Sequence, residues 1–255
     1  MAAFPLMLPG TSRPPKLVVF DLDHTLIACD ATILWTEFLY EKKIVTDPIW
    51  RQYDRDMVKS YAKGVLDIRD FCRKHAGAFR SIPEEKLHAL AQEFAKKKIA
   101  PLIFPDGKKW AKNALQANIP ACVLSASAAF IVKPIAKLFG LTDAMGIELA
   151  FKDGFCTGEI VGIPTFQEGK VERLSQRLAE AGIGFEDVLF FTDSINDLPL
   201  AERAGYTVCV NPDAVLESAA RKNGWKVAEW KLSLRTQMTA QVDAKGVPET
   251  QTVRS

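Results

Sequence analysis

The sequence predicts an α/β fold in which a parallel sheet wrapped in helices is interrupted by an all-helical insertion and carries an antiparallel hairpin flap. Three observations predict it. Short apolar runs recur at 17–20, 121–124, 188–191 and 207–210, and helical patterns separate them, the alternation expected of parallel strands joined by helices. No strand signal falls between about 29 and 103, where apolar residues recur at helical spacing instead. The stretch 148–161 pivots on Asp153-Gly154, a two-residue hairpin signal between strand-like arms.

Taken in order, residues 1–15 form an N-terminal tail with a short apolar patch. Leu17-Val-Val-Phe20 is a strand buried on both faces that opens onto two acids. Within the insertion, Trp50, Tyr53, Met57 and Tyr61 make one apolar stripe. Ser81-Ile-Pro-Glu84 has the spacing of a capping box and starts a helix whose inner face carries Leu87, Leu90 and Phe94. One later helix stops at Gly140 and another runs from about 170 to Gly182, each ending on the residue that tolerates a left-handed cap. The core is therefore assigned to 16–28 and 104–231 and the helical cap to 29–103. The polar, aperiodic stretch 232–255 is expected to be a disordered tail.

Composition narrows the function classes. The 33 basic and 31 acidic residues are interspersed rather than gathered into a stripe, which argues against a nucleic-acid partner. A hydrophobic fraction of 48% over 255 residues fills a real core. The apolar patch near the start lacks a basic leader and is far too short to span a bilayer, so no membrane association is expected. Cys29, Cys72, Cys122, Cys156 and Cys209 are odd in number and form no CxxC pair. That pattern argues against a disulfide framework or zinc knuckle and fits a reducing cytoplasm. Oligomeric state leaves no signal.

Four chemical features stand where strands end or helices begin, the edge at which open parallel sheets bind ligands. Asp21-Leu-Asp23-His-Thr25 follows the first strand and aims two carboxylates at one point, so that one can attack while the other handles a proton. Ser125 ends the second apolar run, with a hydroxyl and backbone N–H groups suited to a phosphate oxygen. Lys170 offers a compact positive charge for a phosphoryl group. Asp193-Ser-Ile-Asn196-Asp197 follows the third run and adds acids for a magnesium site that keeps some waters. Each alone is weak; in order, they define a site.

Together these residues resemble the four motifs of the haloacid dehalogenase superfamily. The helical insertion after the first motif and the hairpin at Asp153-Gly154 make the chain similar to its phosphoserine-phosphatase-like branch, over roughly residues 16–230. The resemblance implies a Rossmann-like core, a helical cap closing over the substrate, and Mg2+-dependent hydrolysis of a small phosphate monoester through an aspartyl-phosphate. It implies that Asp21 is the nucleophile and Asp23 the general acid, then base. Magnesium is implied on the Asp21 and Asp193 carboxylates and the Asp23 carbonyl, with Asp197 reaching it through water. Ser125 and Lys170 are implied on the phosphoryl oxygens, with Asn196 steadying that phosphate-binding loop.

The sequence departs from that pattern in several places. Thr192 stands where the fourth motif commonly opens with Gly, a change that removes no ligand. Ala126-Ser127 replaces the Gly-Gly that phosphoserine phosphatases carry after the serine, which alters the room beside the phosphate. Their cap glutamate aligns with Asp30, which reads either as a partner for a substrate amine or as a helix cap. Their cap arginine aligns with His75, with Arg73 two residues earlier, and a histidine offers a carboxylate no bidentate fork. His75 otherwise reads as a helix-surface residue, His88 as solvated, and Cys29 as near the site without a base. These features favour amine-bearing phosphates, histidinol phosphate ahead of phosphoserine. A carbon–halogen hydrolase, a phosphomutase and a non-catalytic phosphometabolite-binding protein are the rival readings.

Overall fold

The computed structural model describes residues 14–233, so the tails expected at 1–15 and 232–255 lie outside the described residues except at 14–15 and 232–233. The chain enters on β1 (Leu17–Phe20) and then forms four helices, α1 (Ala31–Glu41), α2 (Ile49–Ala62), α3 (Ile68–His75) and α4 (Glu84–Phe94). A π-helical turn at Ala95–Ile99 and a 3₁₀ turn at Ala100–Leu102 lead to α5 (Pro105–Gln116), β2 (Ala121–Ala128), α6 (Ala129–Ala136) and β3 (Asp143–Ile147). The hairpin β4 (Leu149–Lys152) and β5 (Phe155–Ile160) precedes α7 (Glu168–Ala181) and β6 (Val188–Thr192). The short α8 (Leu198–Ala201), β7 (Tyr206–Val210), α9 (Ala214–Asn223) and β8 (Lys226–Ala228) complete it.

Six strands pair in parallel in the order β3-β2-β1-β6-β7-β8. The four apolar runs of the sequence are its central four strands, and their period of two feeds both faces of the sheet. Val18, Phe20, Leu189 and Phe191 join one cluster with Trp35, Phe94 and Phe130, whereas Leu17, Val19, Val188 and Phe190 join another with Val171, Leu174 and Leu178. The Phe20 and Phe191 rings stack at 4.9 Å across the β1–β6 pair. Chain order reverses at β1, whose neighbours are β2 on one side and β6 on the other, and this reversal opens a crevice at the strand ends.

The helical reading of 29–103 holds, and Leu87, Leu90 and Phe94 are buried. Among the described residues no helix is long and apolar enough to cross a membrane. The capping box is a correction: Ser81 makes no cap hydrogen bond, and Pro83 occupies the cap position of α4. The Glu84 N–H is instead taken at 2.8 Å by the carbonyl of Gly154, at the tip of the hairpin. Asp153 (φ 51°) and Gly154 (φ 79°) both take the left-handed conformation that a two-residue hairpin turn needs.

Gly158 on β5 binds the hairpin to α3. Its φ is +84°, and an added Cβ would sit 2.7 Å from the Ala76 Cβ and 2.9 Å from the Cys72 carbonyl oxygen. Gly158→Ala is therefore expected to destabilise the fold by about 2–4 kcal/mol, combining backbone strain with overpacking. Gly154→Ala, with nothing within 4 Å of the new Cβ, should cost only about 1 kcal/mol. Urea unfolding of the two variants checks the ranking, and equal costs would contradict it.

Candidate active site

Asp21 follows β1 directly, its N–H bonded to the Phe191 carbonyl at 2.9 Å, so β6 fixes where its side chain starts. Lys170, in the first turn of α7, is 2% exposed and reaches through the core to Asp21 Oδ1 at 2.7 Å and Asp197 Oδ1 at 2.7 Å. Burial is the strongest influence on Lys170 and disfavours its charge, but Asp197 and Asp21 outweigh it and raise the ammonium above the ordinary lysine range. Burial likewise pushes Asp21 up to about 7 against the opposing pull of Lys170, with Asp197 and Asp23 adding to the rise.

Asp23 is held differently. Its Oδ2 accepts from Ser125 Oγ at 3.0 Å and Ser127 Oγ at 2.9 Å, and its Oδ1 accepts from the N–H of Ala31 at 2.7 Å, at the start of α1. Burial, and then the charge of Asp30, raise it to about 6. A carboxyl so placed holds or releases a proton near neutrality. Ser125 is fully buried; it also accepts the Ser127 N–H at 3.0 Å, and its carbonyl accepts from Thr165 Oγ1.

From the β6 side, Asp193 accepts from Thr25 Oγ1 at 2.9 Å. Burial, then the charge of Asp21, raise it well above the usual carboxylate range. Asp197 is 2% exposed, with Oδ2 taking Lys170 Nζ at 2.8 Å and Thr192 Oγ1 at 2.7 Å. The Thr192 side chain, where a glycine is common, thus helps to fix Asp197. Asn196 accepts from Gln167 Nε2 at 3.1 Å and donates to the carbonyl of Tyr61 in the cap at 3.2 Å.

Asp21, Asp23 and Asp193 meet in one cavity of about 70 Å³, whose floor includes Ser127 and Ala126 and whose roof is Met57, Tyr61, Leu66, Ile68 and Phe71 from α2, α3 and the loop between them. Asp30 and Thr32 form its side, and among the described residues no arginine or lysine lines it. The cap residues sort as follows. Asp30 caps α1, accepting from the Ile33 N–H at 3.0 Å, and also lines the cavity. Arg73 is exposed on α3, in neither the wall of this cavity nor that of its neighbour. His75 is not a surface residue: it is 6% exposed, stacked on Phe71 and hydrogen-bonded to Thr36 at 3.0 Å. His88 is exposed as expected, and Cys29 is half-buried, its thiol pushed up first by burial.

Besides the apolar roof residues Leu66, Ile68 and Phe71, the site gains Thr25, Thr32, Ser127, Thr165, Gln167 and Thr192, to which the sequence assigns no role, and these six differ from the roof in kind. All are polar residues within or beside the motifs, and that adjacency was the available signal.

Two carboxylates and a backbone carbonyl, completed by waters, suit a hard, oxygen-seeking Mg2+ ion, which needs no all-protein cage. Among the described residues no three His, Cys, Asp or Glu side chains converge to hold a metal by themselves. The charge of Asp21 adds to the rise of Asp193, and the charges of Asp197 and Asp23 add to that of Asp21, a crowding of acids that a divalent cation relieves. The donor set therefore fits magnesium.

Residues 18–202 match the family of haloacid dehalogenase-like hydrolases. The chain belongs to this family. A histidinol-phosphatase of Neisseria meningitidis is 35% identical over 220 residues, 85% of this chain and 99% of that protein. A Bordetella pertussis protein of unknown function has the same fold at a TM-score of 0.76 and 31% identity, over 83% of this chain and 97% of the other. A substrate-bound phosphoserine phosphatase superposes with a TM-score of 0.64 over 90% of this chain and 99% of the other; at 21% identity that likeness is one of fold.

The raised carboxyls set a pH dependence for the metal-free hydrolase. Asp21 at about 7 and Asp23 at about 6 bind protons more tightly than unfolded aspartates at 3.8. The folded state therefore holds more protons between about pH 4 and 7, and its stability is full below that window and lost as pH rises through it. In chelator, unfolding free energy should drop by on the order of 1–3 kcal/mol between pH 5 and 7.5, and Asp21→Asn should remove part of that slope. Urea titrations at the two pH values test it; stability that rises with pH would refute the burial account.

Proposed function

We propose that the chain hydrolyses a small, amine-bearing phosphate monoester through a phosphorylated intermediate on Asp21. The observation that carries this is the asymmetric grip on Asp21, whose Oδ1 is held by Lys170 at 2.7 Å while the residue also lines the cavity. A carboxylate steadied on one oxygen keeps the other for phosphorus. Asp21 attacks, the ester P–O bond breaks, and protonated Asp23 gives its proton to the leaving alkoxide oxygen. Ionised Asp23 then takes a proton from water as that water attacks the aspartyl-phosphate, releasing inorganic phosphate and restoring Asp21.

Ser127 holds Asp23 for both transfers, while the single Ser125 hydroxyl proton, given to Asp23 before substrate binds, turns to the phosphoryl group. Ser125 and Lys170 bind the transferred phosphoryl oxygens. Asp21, Asp193 and the Asp23 carbonyl would hold Mg2+, which would supply positive charge where one anion approaches another. Asp197, whose oxygens are taken by Lys170 and Thr192, serves the ammonium rather than the ion. Asp30 in a cavity wall without Arg or Lys favours a leaving group with an amine over one with a carboxylate, so histidinol phosphate is the first candidate, ahead of phosphoserine.

Asp21→Asn should lower magnesium-dependent phosphate release at least a thousandfold while leaving the unfolding midpoint near or above that of the parent, since an amide has the volume but not the nucleophilicity. A folded variant with more than a few per cent of the parent rate rules out Asp21 as the nucleophile. The two β6-side acids should separate in a magnesium titration. Asp193→Asn should raise the half-saturating Mg2+ concentration about tenfold or more, whereas Asp197→Asn should lower kcat with that concentration unchanged. Identical shifts in both parameters would contradict the division of roles.

A further inference from the structure

Beside the catalytic cavity lies a second one of about 20 Å³. Thr32, Phe71 and Ala126 stand in the walls of both, so the two adjoin at these residues. Past this shared wall the recess has Phe71, His75 and Phe79 on the cap side and Phe130, Ile131 and Leu149 on the other. The whole cleft follows the seam between cap and core, so lifting the cap widens both parts, as a substrate larger than the closed volume requires.

The recess is aromatic. His75 stacks on Phe71 at 5.1 Å and 17° and meets Phe79 edge-on at 5.6 Å, while Phe79 and Phe130 meet at 5.4 Å and 63°. Such walls fit a flat ring better than a flexible chain. Among the described residues neither cavity wall carries a lysine or arginine, so a carboxylate or a second phosphate at the far end of a ligand finds no counter-charge there.

One polar feature stands out against this lining. His75 Nε2 lies 3.0 Å from Thr36 Oγ1 and 3.5 Å from Asp54 Oδ1, and both Asp54 oxygens are buried without a hydrogen-bond partner. Burying a polar group in this way costs about 1–3 kcal/mol or more unless it brings something in return. Burial holds His75 down to about 4 and pushes Asp54 up to about 7, so at neutral pH the imidazole is neutral, with one donor and one acceptor nitrogen. Thr36 and Asp54 occupy the Nε2 side and set the ring's orientation, which is a positioning role.

We infer that this recess is a second substrate subsite, receiving the uncharged, planar nitrogen-heterocycle end of an amine-bearing phosphate ester, with His75 as its hydrogen-bonding wall. The inference rests on the proposed phosphatase reading of the first cavity and names the substrate class for it. Along the cleft the ester places its phosphoryl group at Asp21, its amine at Asp30 and its ring beyond Phe71. His75 is then a specificity-determining residue.

The test compares histidinol phosphate with phosphoethanolamine, which carries the amine and lacks the ring, in the full-length enzyme with magnesium. Two variants are used: His75→Phe, which keeps a ring but removes the hydrogen bond, and Leu149→Phe, which narrows the recess from the core side. The parent should prefer the ring-bearing ester by at least tenfold in kcat/KM, and each variant should lower that preference at least tenfold. A purely structural defect slows both esters alike and leaves the ratio unmoved. If the parent cleaves both esters and neither variant shifts the ratio, the subsite is overturned while the proposed function stands. If the parent cleaves neither ester nor any other amine-bearing phosphate, both readings fall together. Should His75→Phe not fold, the ratio in Leu149→Phe decides alone.

Discussion

A buried ammonium between two buried acids is the constraint on which the rest of this molecule turns. Lys170 comes from α7, Asp21 from the end of β1 and Asp197 from the segment after β6, so no one of them can be placed without the sheet and the helix packed on it. Taking each charge out of water costs several kcal/mol, and only close, well-aligned partners return it. Two contacts of 2.7 Å supply that alignment. The same arrangement leaves the acids outnumbering the cation, since Asp21, Asp23 and Asp193 share one cavity with a single ammonium beneath it. That excess of negative charge suits a hard divalent ion.

Much of the core was legible because burial on both faces leaves an unmistakable mark. The runs at β1, β2, β6 and β7 are nearly all apolar, and the acids that follow β1 and β6 stand at their polar ends. The two edge strands gave no such mark. β3 reads Asp-Ala-Met-Gly-Ile and β8 has three residues, as expected where one side of a strand faces no neighbour. The hairpin was legible because only a few residue pairs adopt two successive left-handed conformations, and Asp153-Gly154 is one.

What stayed hidden depended on partners remote in sequence. Ser81 has the spacing of a cap, yet the Gly154 carbonyl, 70 residues beyond Glu84, takes the Glu84 N–H at the start of the helix instead. His75 sits on a short helix with charged neighbours, and nothing local announces that Phe71, Phe79 and Thr36 enclose it. Ser127 is visible as a departure from a glycine pair, but its hydrogen bond to Asp23 requires the bulged end of β2 to meet the loop after β1. The motif acids and the Ser125 hydroxyl could be found from the sequence; the hydrogen bonds by which Thr25, Ser127 and Thr192 hold those acids could not.

Several contacts that join the cap to the rest of the chain are addressed to backbone atoms. Asn196 donates to the carbonyl of Tyr61, and the Gly154 carbonyl receives the first N–H of α4. A main-chain oxygen is present whatever residue supplies it. Side chains on the cap's inner surface can therefore be exchanged over evolutionary time with these tethers intact, which lets a lineage retune what it binds while inheriting its chemistry unaltered.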